Sequence, residues 1–238
     1  MRLIKKILKL LNSKLWRTGL INGILANVEL ESLIKDIKEP ETIIDVGSNK
    51  GQFILLVEKI FPRKRVFSFE PIVELLDKQK QFFKYKRNIN FYNIALGNTA
   101  KFDKFLITNR TDSSSFLEIE NKKNYSDYYL VKEERKIKIN TLDKILYKKK
   151  LNYPILIKID VQGFELEVLK GSKKLLKVTD YILLEVSKNE MYKNQPKEGK
   201  IINFLKKNNF KIFKSNKFTS IKNTNFEQRD ILFIKTKW

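Results

Sequence analysis

Apolar positions near the start of the chain recur with helical spacing. Leu3, Ile4, Ile7, Leu8, Leu11 and Leu15 fall at i, i+3, i+4 and i+7, which predicts an amphipathic helix over residues 1–20. Arg2, Lys5, Lys6, Lys9, Lys14 and Arg17 occupy its polar positions, and no acid appears among residues 1–20. A second helix is expected over Asn22–Lys38, ending before Pro40.

The pattern then switches to short apolar runs alternating with helical stretches. Thr42–Val46, Arg65–Glu70, Asn90–Ile94, Pro154–Asp160 and Tyr181–Val186 read as strands. Gln52–Ile60, Ile72–Tyr85, Phe164–Leu176 (broken near Gly171) and Lys197–Asn208 read as helices, and Phe210–Phe213 and Ile231–Lys235 as late strands. This alternation predicts a doubly wound α/β fold with a mostly parallel sheet covered on both faces. Residues 1–39 form an N-terminal helical extension in this reading, and residues 40–238 the main domain. Residues 101–140 interrupt the alternation. Lys101–Thr108 and Lys136–Asn140 look like strands, and the polar stretch between them reads as an insertion or lid. A loop or hairpin is expected over 214–225.

Composition narrows the chemistry. The 238 residues include no His and no Cys, which excludes imidazole bases, thiolate nucleophiles, disulfides and metal sites built on either residue. Acid–base work therefore falls to Asp, Glu, Lys or Tyr. The charge balance, 49 Lys+Arg against 27 Asp+Glu, gives a net +22. Such basicity suits nucleic acid, an anionic membrane surface or an acidic substrate. Most of it is Lys, however, and a compositional bias of the host genome accounts for the same numbers. Scarce Arg weakens a sequence-reading nucleic-acid case, because bidentate base contacts favour Arg. No stretch is apolar enough to span a membrane, and the N-terminus lacks the apolar core and cleavage site of a signal peptide. The expected location is cytoplasmic, with peripheral contact at the inner membrane face if residues 1–20 lie in the interface.

The sharpest motif is Asp45-Val46-Gly47-Ser48-Asn49-Lys50-Gly51, between a strand and a helix. Gly47 permits a tight turn and close ligand approach, and the amides at the helix start suit polar or anionic groups. Its G-x-x-x-G spacing is neither the dinucleotide fingerprint nor the phosphate-binding loop. Glu70 ends the next strand, where an acid accepts both hydroxyls of a ribose.

Together these residues resemble the class I S-adenosylmethionine-dependent methyltransferases. With Phe69-Glu70-Pro71, Asn93-Ile94-Ala95-Leu96-Gly97, Thr141-Leu142-Asp143 and the run Lys158 to Gly171 (KIDVQGFELEVLKG), the chain is similar to the FkbM family over roughly residues 40–236. The resemblance implies a Rossmann-like seven-stranded sheet with an antiparallel last strand and O-methylation of a hydroxyl, most often on a sugar or polyketide. It implies that Asp45, Gly47, Ser48, Asn49 and Gly51 line the methionine part of the cofactor. Glu70 with Pro71 would hold the ribose, and Ala95 would lie near the adenine. The family commonly has Ala where this chain has Ser48.

The catalytic candidates are Asp160, at a strand end on the active face, Glu165, five residues on, and Glu185, at the end of another apolar strand. Lys158 either joins them or neutralises one of the acids. The three carboxylates either form a base cluster or bind Mg²⁺ through oxygen. Ser113–Ser115 are expected to contact substrate hydroxyls or to be ordinary loop residues. Tyr125, Tyr128 and Tyr129 either stack on a sugar or anchor the lid. The expected function is O-methylation of a sugar in a bacterial surface glycan or lipid-linked precursor. An RNA methyltransferase and a non-catalytic cofactor-fold binder are the alternatives.

Overall fold

The computed structural model describes residues 8–120, 127–220 and 226–236. Part of the helix expected over 1–20, Tyr125 and part of the 214–225 loop lie outside them. The strands are β1 (Thr42–Val46), β2 (Arg65–Phe69), β3 (Ile89–Tyr92), β4 (Ala95–Leu96), β5 (Lys101–Thr108), β6 (Val131–Asn140), β7 (Ile155–Ile159), β8 (Tyr181–Ser187), β9 (Phe210–Ser215), β10 (Thr219–Ser220) and β11 (Glu227–Lys235). The helices are α1 (Lys14–Ile21), α2 (Glu31–Ile34), α3 (Gln52–Ile60), α4 (Val73–Phe82), α5 (Leu142–Leu146), α6 (Glu165–Lys170), α7 (Lys173–Lys177) and α8 (Glu198–Lys207).

The main sheet runs β3-β2-β1-β7-β8-β11-β9, and two-residue β10 pairs with the start of β11. β1, β2, β3, β7 and β8 are parallel to their neighbours, and β11 is antiparallel to β8. This is the expected sheet with an antiparallel last strand, extended by β10. The strand order reverses between β1 and β7. In open α/β sheets that switch point leaves a crevice at the carboxyl ends of the strands, where ligands bind.

β1 and β7 are buried along their whole length, as parallel strands covered on both faces must be. Successive residues feed opposite faces. Ile43 and Leu156 pack with α3, whereas Ile44 and Ile157 pack with Leu169 and Leu205 of α6 and α8.

Only α2 forms within the helix expected over Asn22–Lys38. The reason lies at Gly23, which adopts φ +70° just after α1. Ile24 N–H returns to Gly19 O and Gly23 N–H to Leu20 O, the paired bonds that end a helix at a left-handed glycine. The chain then runs irregularly but stays packed. Trp16, Ile24, Val28, Leu33 and Ile34 are buried in the same cluster as α3. A Cβ on Gly19 would come within 2.3 Å of Leu55 Cδ2, and the Trp16 indole N–H donates to Leu55 O at 3.1 Å. Residues 8–39 therefore form a wall of the main core.

The insertion is a second, three-stranded sheet in the order β4-β6-β5. β6 begins earlier than expected, at Val131, because its outer half, Lys132–Lys136, is charged and mostly exposed and carries no apolar signal. Phe105 and Ile107 of β5 pack on Ile72, just before α4, and on Leu75 within it, which seats the insertion over the carboxyl end of β2. The helix expected over Phe164–Leu176 is α6 and α7. A Cβ on Gly171 would sit 2.0 Å from Gly97 O, so the break allows close contact there.

Candidate active site

The turn after β1 is held by backbone geometry. Gly47 and Gly51 have φ +74° and +85°, and Asn49 between them is also left-handed at 50°. A Cβ on Gly47 would lie 1.9 Å from Asp160 O, so the β1 and β7 turns touch backbone to backbone. Ser48 is buried, and its hydroxyl donates to Phe69 O at 3.3 Å and accepts from Gln79 Nε2 at 2.9 Å. Serine in place of the family's alanine thus ties the turn to β2 and α4. Glu70 is buried beside it. Its Oε2 accepts Asn49 N–H at 2.8 Å and its Oε1 accepts Ile72 N–H at 2.9 Å. Burial pushes its pKa up to about 7, against the pull of those two amides. The Asn49 Oδ1 atom is buried and has no hydrogen-bond partner.

The turn after β7 is built on Glu165. Its Oε1 accepts Val161 N–H at 3.2 Å and Gly163 N–H at 3.0 Å. Burial raises its pKa to about 7. Expected to face the cleft, Glu165 instead turns back into its own loop, because those two amides at a tight turn have no backbone acceptor of their own. Asp160, half-exposed, keeps its carboxylate outward. Gln162 Nε2 donates to its Oδ1 at 2.8 Å, and Lys158 Nζ lies 3.2 Å from its Oδ2.

Lys158 also lies 3.5 Å from Asp45 Oδ1. That is an ion pair without hydrogen-bond geometry, since neither Asp45 oxygen has a hydrogen-bond partner. Burial alone would lower the lysine, but Asp160 and Asp45 outweigh it and hold its pKa above the ordinary value. Asp45 is fully buried and its pKa is raised, by burial first and then, against the pull of Lys158, by Asp160.

Glu185 completes the group from β8. Lys158 is not its partner; Gln228 Nε2 donates to its Oε1 at 2.7 Å. Burial, then the charges of Asp160 and Asp230, push its pKa well above the ordinary value. Asp230 of β11 stands directly opposite Glu185 across the strand pair, and burial raises it to about 6. The apolar pattern starts this strand only at Ile231, because Glu227–Asp230 is polar. Only the antiparallel register puts Asp230 at the site. Among the described residues, no group of three or more acids is arranged to hold a metal ion.

A cavity of about 470 Å³ opens beside these groups. Gly47, Ser48, Asn49, Glu70, Pro71, Ala95, Lys158, Asp160 and Glu185 line it. Asp45 lies beneath the floor, Gly51 packs on Phe83, and Glu165 sits behind the turn. Polar lining residues that the sequence does not mark as site candidates include Asn27, Gln162 and Gln228. The insertion forms the far wall. There the Ser114 hydroxyl serves the loop itself, accepting from Thr108 N–H at 3.1 Å, whereas the Ser115 hydroxyl ties the insertion to the β7 turn by donating to Gln162 O at 2.7 Å. Tyr129 lines the cavity, while Tyr128 is exposed. Buried Tyr192, hidden in a polar stretch of sequence, lies 3.0 Å from both Ser113 O and Gln162 Oε1, bridging the insertion to the partner of Asp160.

The FkbM methyltransferase domain model matches residues 45–212, which span the β1 turn, the insertion and the β7 turn. The chain belongs to the FkbM methyltransferase family. It is an S-adenosylmethionine-dependent methyltransferase. The 2-O-methyltransferase NoeI of Sinorhizobium fredii is 24% identical over 171 residues, 68% of this chain and 70% of that protein. Among solved structures, M. capricolum TrmK in complex with S-adenosyl-homocysteine is similar at TM-score 0.51 and 12% identity, covering 90% of this chain and 70% of that one. An uncharacterized protein from Listeria monocytogenes matches at TM-score 0.50 and 10% identity, over 88% and 68%. Both share the fold with this FkbM methyltransferase. Among the described residues, no helix is long and apolar enough to cross a membrane.

Proposed function

We propose that this protein methylates a hydroxyl of a sugar, in a surface glycan or its lipid-linked precursor. The observation that carries the reading is the Asp160–Lys158–Glu185 group, bordering the same cavity as the β1 turn and Glu70. The cofactor fits this cavity by two features. Gly47 lines it without a side chain, and the buried Asn49 Oδ1 lacks a partner there. Gly47, Ser48 and Asn49 would hold its amino-acid end, Glu70 with Pro71 its ribose, and Ala95 its base. When bound, it supplies a methyl group already activated on a sulfonium.

The protein's task is then alignment and removal of one proton. Positioning alone supplies about 7–11 kcal/mol of such a barrier. Asp160, pinned through both oxygens by Gln162 and Lys158, orients the acceptor hydroxyl. Glu185, whose proton affinity is raised by burial and by neighbouring acids, takes the proton of the acceptor hydroxyl. Lys158 stays protonated and balances Asp160 and Asp45, so it is a countercharge and not a base. The name of NoeI, a 2-O-methyltransferase, supports oxygen as the acceptor atom.

Residues 1–20 supply the peripheral membrane contact in this proposal. Leu8, Leu11, Ile21 and Leu25 are exposed, and the first acid of the chain is Glu29. Exposed apolar side chains set among lysines suit an anionic bilayer surface. Flotation with anionic vesicles should retain the full chain, and Leu8→Asp with Ile21→Asp should release it.

The deciding experiment transfers a labelled methyl group from S-adenosylmethionine into host extract, separated into glycan, lipid-linked, protein and RNA pools. Label in the glycan or lipid-linked pool supports the proposal. Label confined to RNA or protein contradicts it.

A further inference from the structure

A second cavity, of about 710 Å³, opens on the other side of the Asp160–Glu185 pair. One wall is the irregular N-terminal segment at Asn27 and Val28 with Ser32 of α2. The opposite wall is the edge hairpin, at Asn216, Gln228 and Asp230. The floor is the end of β7 and β8. Lys158, Asp160, Glu185, Asn27, Thr219 and Gln228 border both cavities, so the two spaces meet at the carboxylates. Gly47, Asn49 and Glu70 border only the first.

Methyl transfer needs two ligands whose reacting atoms meet in line, one on each side of the moving carbon. Two cavities that meet at Asp160 and Glu185, with Gly47, Asn49 and Glu70 bordering only one of them, meet that requirement. The volume of the second falls in the range of small-ligand sites, roughly 300–1,000 Å³. Its lining points to a class of occupant. Among the described residues no aromatic ring borders it, and a flat phenolic acceptor finds no stacking partner among them. Carboxamides and carboxylates face each other across it instead. Such planar groups pair with the adjacent hydroxyls of a saccharide ring, and each satisfied polar contact discriminates strongly against an acceptor that lacks the hydroxyl.

We infer that the second cavity is the acceptor site, and that a saccharide ring binds there between Asn27 and the edge hairpin, with Asp230 holding a hydroxyl next to the one methylated. This rests on the sugar O-methylation proposed above. Asp230 stands opposite Glu185 in register, accepts from Asn216 Nδ2 at 3.2 Å, and is half-buried, so it is placed as a recognition group beside the base. Its pKa, raised by burial to about 6, fits a carboxylate kept from bulk water.

Two kinds of variant test the inference in the full chain. Ser32→Trp and, independently, Lys217→Trp fill the second cavity without touching the first, because both residues border only the second. Asp230→Asn keeps the shape and removes the charge. Initial rates of label transfer into the host glycan fraction give KM for the acceptor, and calorimetry with S-adenosylhomocysteine gives cofactor affinity. Each tryptophan variant should raise acceptor KM at least about tenfold and Asp230→Asn about fivefold or more, with cofactor Kd within about twofold. Wild-type acceptor KM in either tryptophan variant that still binds the cofactor would overturn the site. Millimolar methyl glycosides of common hexoses should inhibit competitively against the acceptor and not against the cofactor. A panel without inhibition would overturn the saccharide assignment. Should label enter RNA or protein instead of glycan, the sugar reading fails, and the same KM comparison on that pool still decides whether this cavity holds the acceptor.

Discussion

The turns after β1 and after β7 are made of the same parts. Each has a glycine at positive φ (Gly47, +74°; Gly163, +95°) and a left-handed non-glycine residue (Asn49, 50°; Gln162, 55°). Each is braced by a buried glutamate that accepts backbone N–H groups and whose pKa burial lifts to about 7. The difference is where the glutamate comes from. Glu70 reaches the β1 turn from the end of a neighbouring strand and borders the cavity. Glu165 braces the β7 turn from within, and its carboxylate is spent on Val161 and Gly163. Two acids with the same perturbed titration therefore do different work, one at a ligand wall and one inside a loop. A shifted pKa marks burial; exposure to the cavity separates a functional acid from a structural one.

Breaking the glycines should give the largest contrast. Gly47→Ala drives a Cβ into the Asp160 carbonyl at 1.9 Å, a backbone atom that cannot swing away. It should cost about 4 kcal/mol or more and abolish cofactor binding, read by denaturant melts and calorimetry. At Gly163 the added Cβ meets only side chains, at 3.2–3.3 Å, so Gly163→Ala should cost about 1–3 kcal/mol for its strained φ alone.

The next contrast is catalytic. Asp160→Asn should lower kcat by about a hundredfold or more while cofactor Kd holds. Glu165→Gln, which can still accept both amides through its Oε1, should keep kcat within about threefold. Equal losses in the two variants would erase the distinction between the acids.

Cofactor affinity should separate the glutamates more gently. Ribose hydroxyls donate best to ionised Glu70, so affinity for S-adenosylhomocysteine should rise as pH climbs through about 7. Glu70→Gln should weaken binding about tenfold and flatten that pH dependence, whereas Glu165→Gln should leave both unchanged. The smallest effect is on stability. Because the folded pKa of Glu165 is raised from 4.5 to about 7, its stabilising contribution is full below 4.5 and lost as pH rises through about 7. Glu165→Gln should therefore melt with the wild type at about pH 5 and above it at about pH 8.

Sequence alone located the parts of the fold with strong periodicity. β1, α3, β2, β7 and β8 lie within a residue or two of their expected bounds, because fully buried parallel strands leave unbroken apolar runs. It misplaced the segment after α1, where one glycine outweighs a helical apolar pattern, and the polar first halves of β6 and β11, where one face meets solvent. Within the site, short-range motifs marked Gly47, Asn49, Glu70 and Asp160. Asn27, Gln228, Asp230 and Tyr192 carry no local signal. They come to the site only through long-range pairing, such as the β8–β11 register that sets Asp230 against Glu185. Glu165 was misdirected for a related reason. Spacing places it on the right turn, but the unmet amides of that turn decide which way its carboxylate faces.

The most direct test follows a ¹³C-labelled methyl group from S-adenosylmethionine into the host glycan fraction with wild-type, Asp160→Asn and Glu165→Gln proteins side by side. The expected result is an O-methyl signal on a sugar carbon with wild type and Glu165→Gln, and none at matched times with Asp160→Asn. An undiminished signal with Asp160→Asn, or a methyl group attached to anything other than a glycan oxygen, would contradict the account.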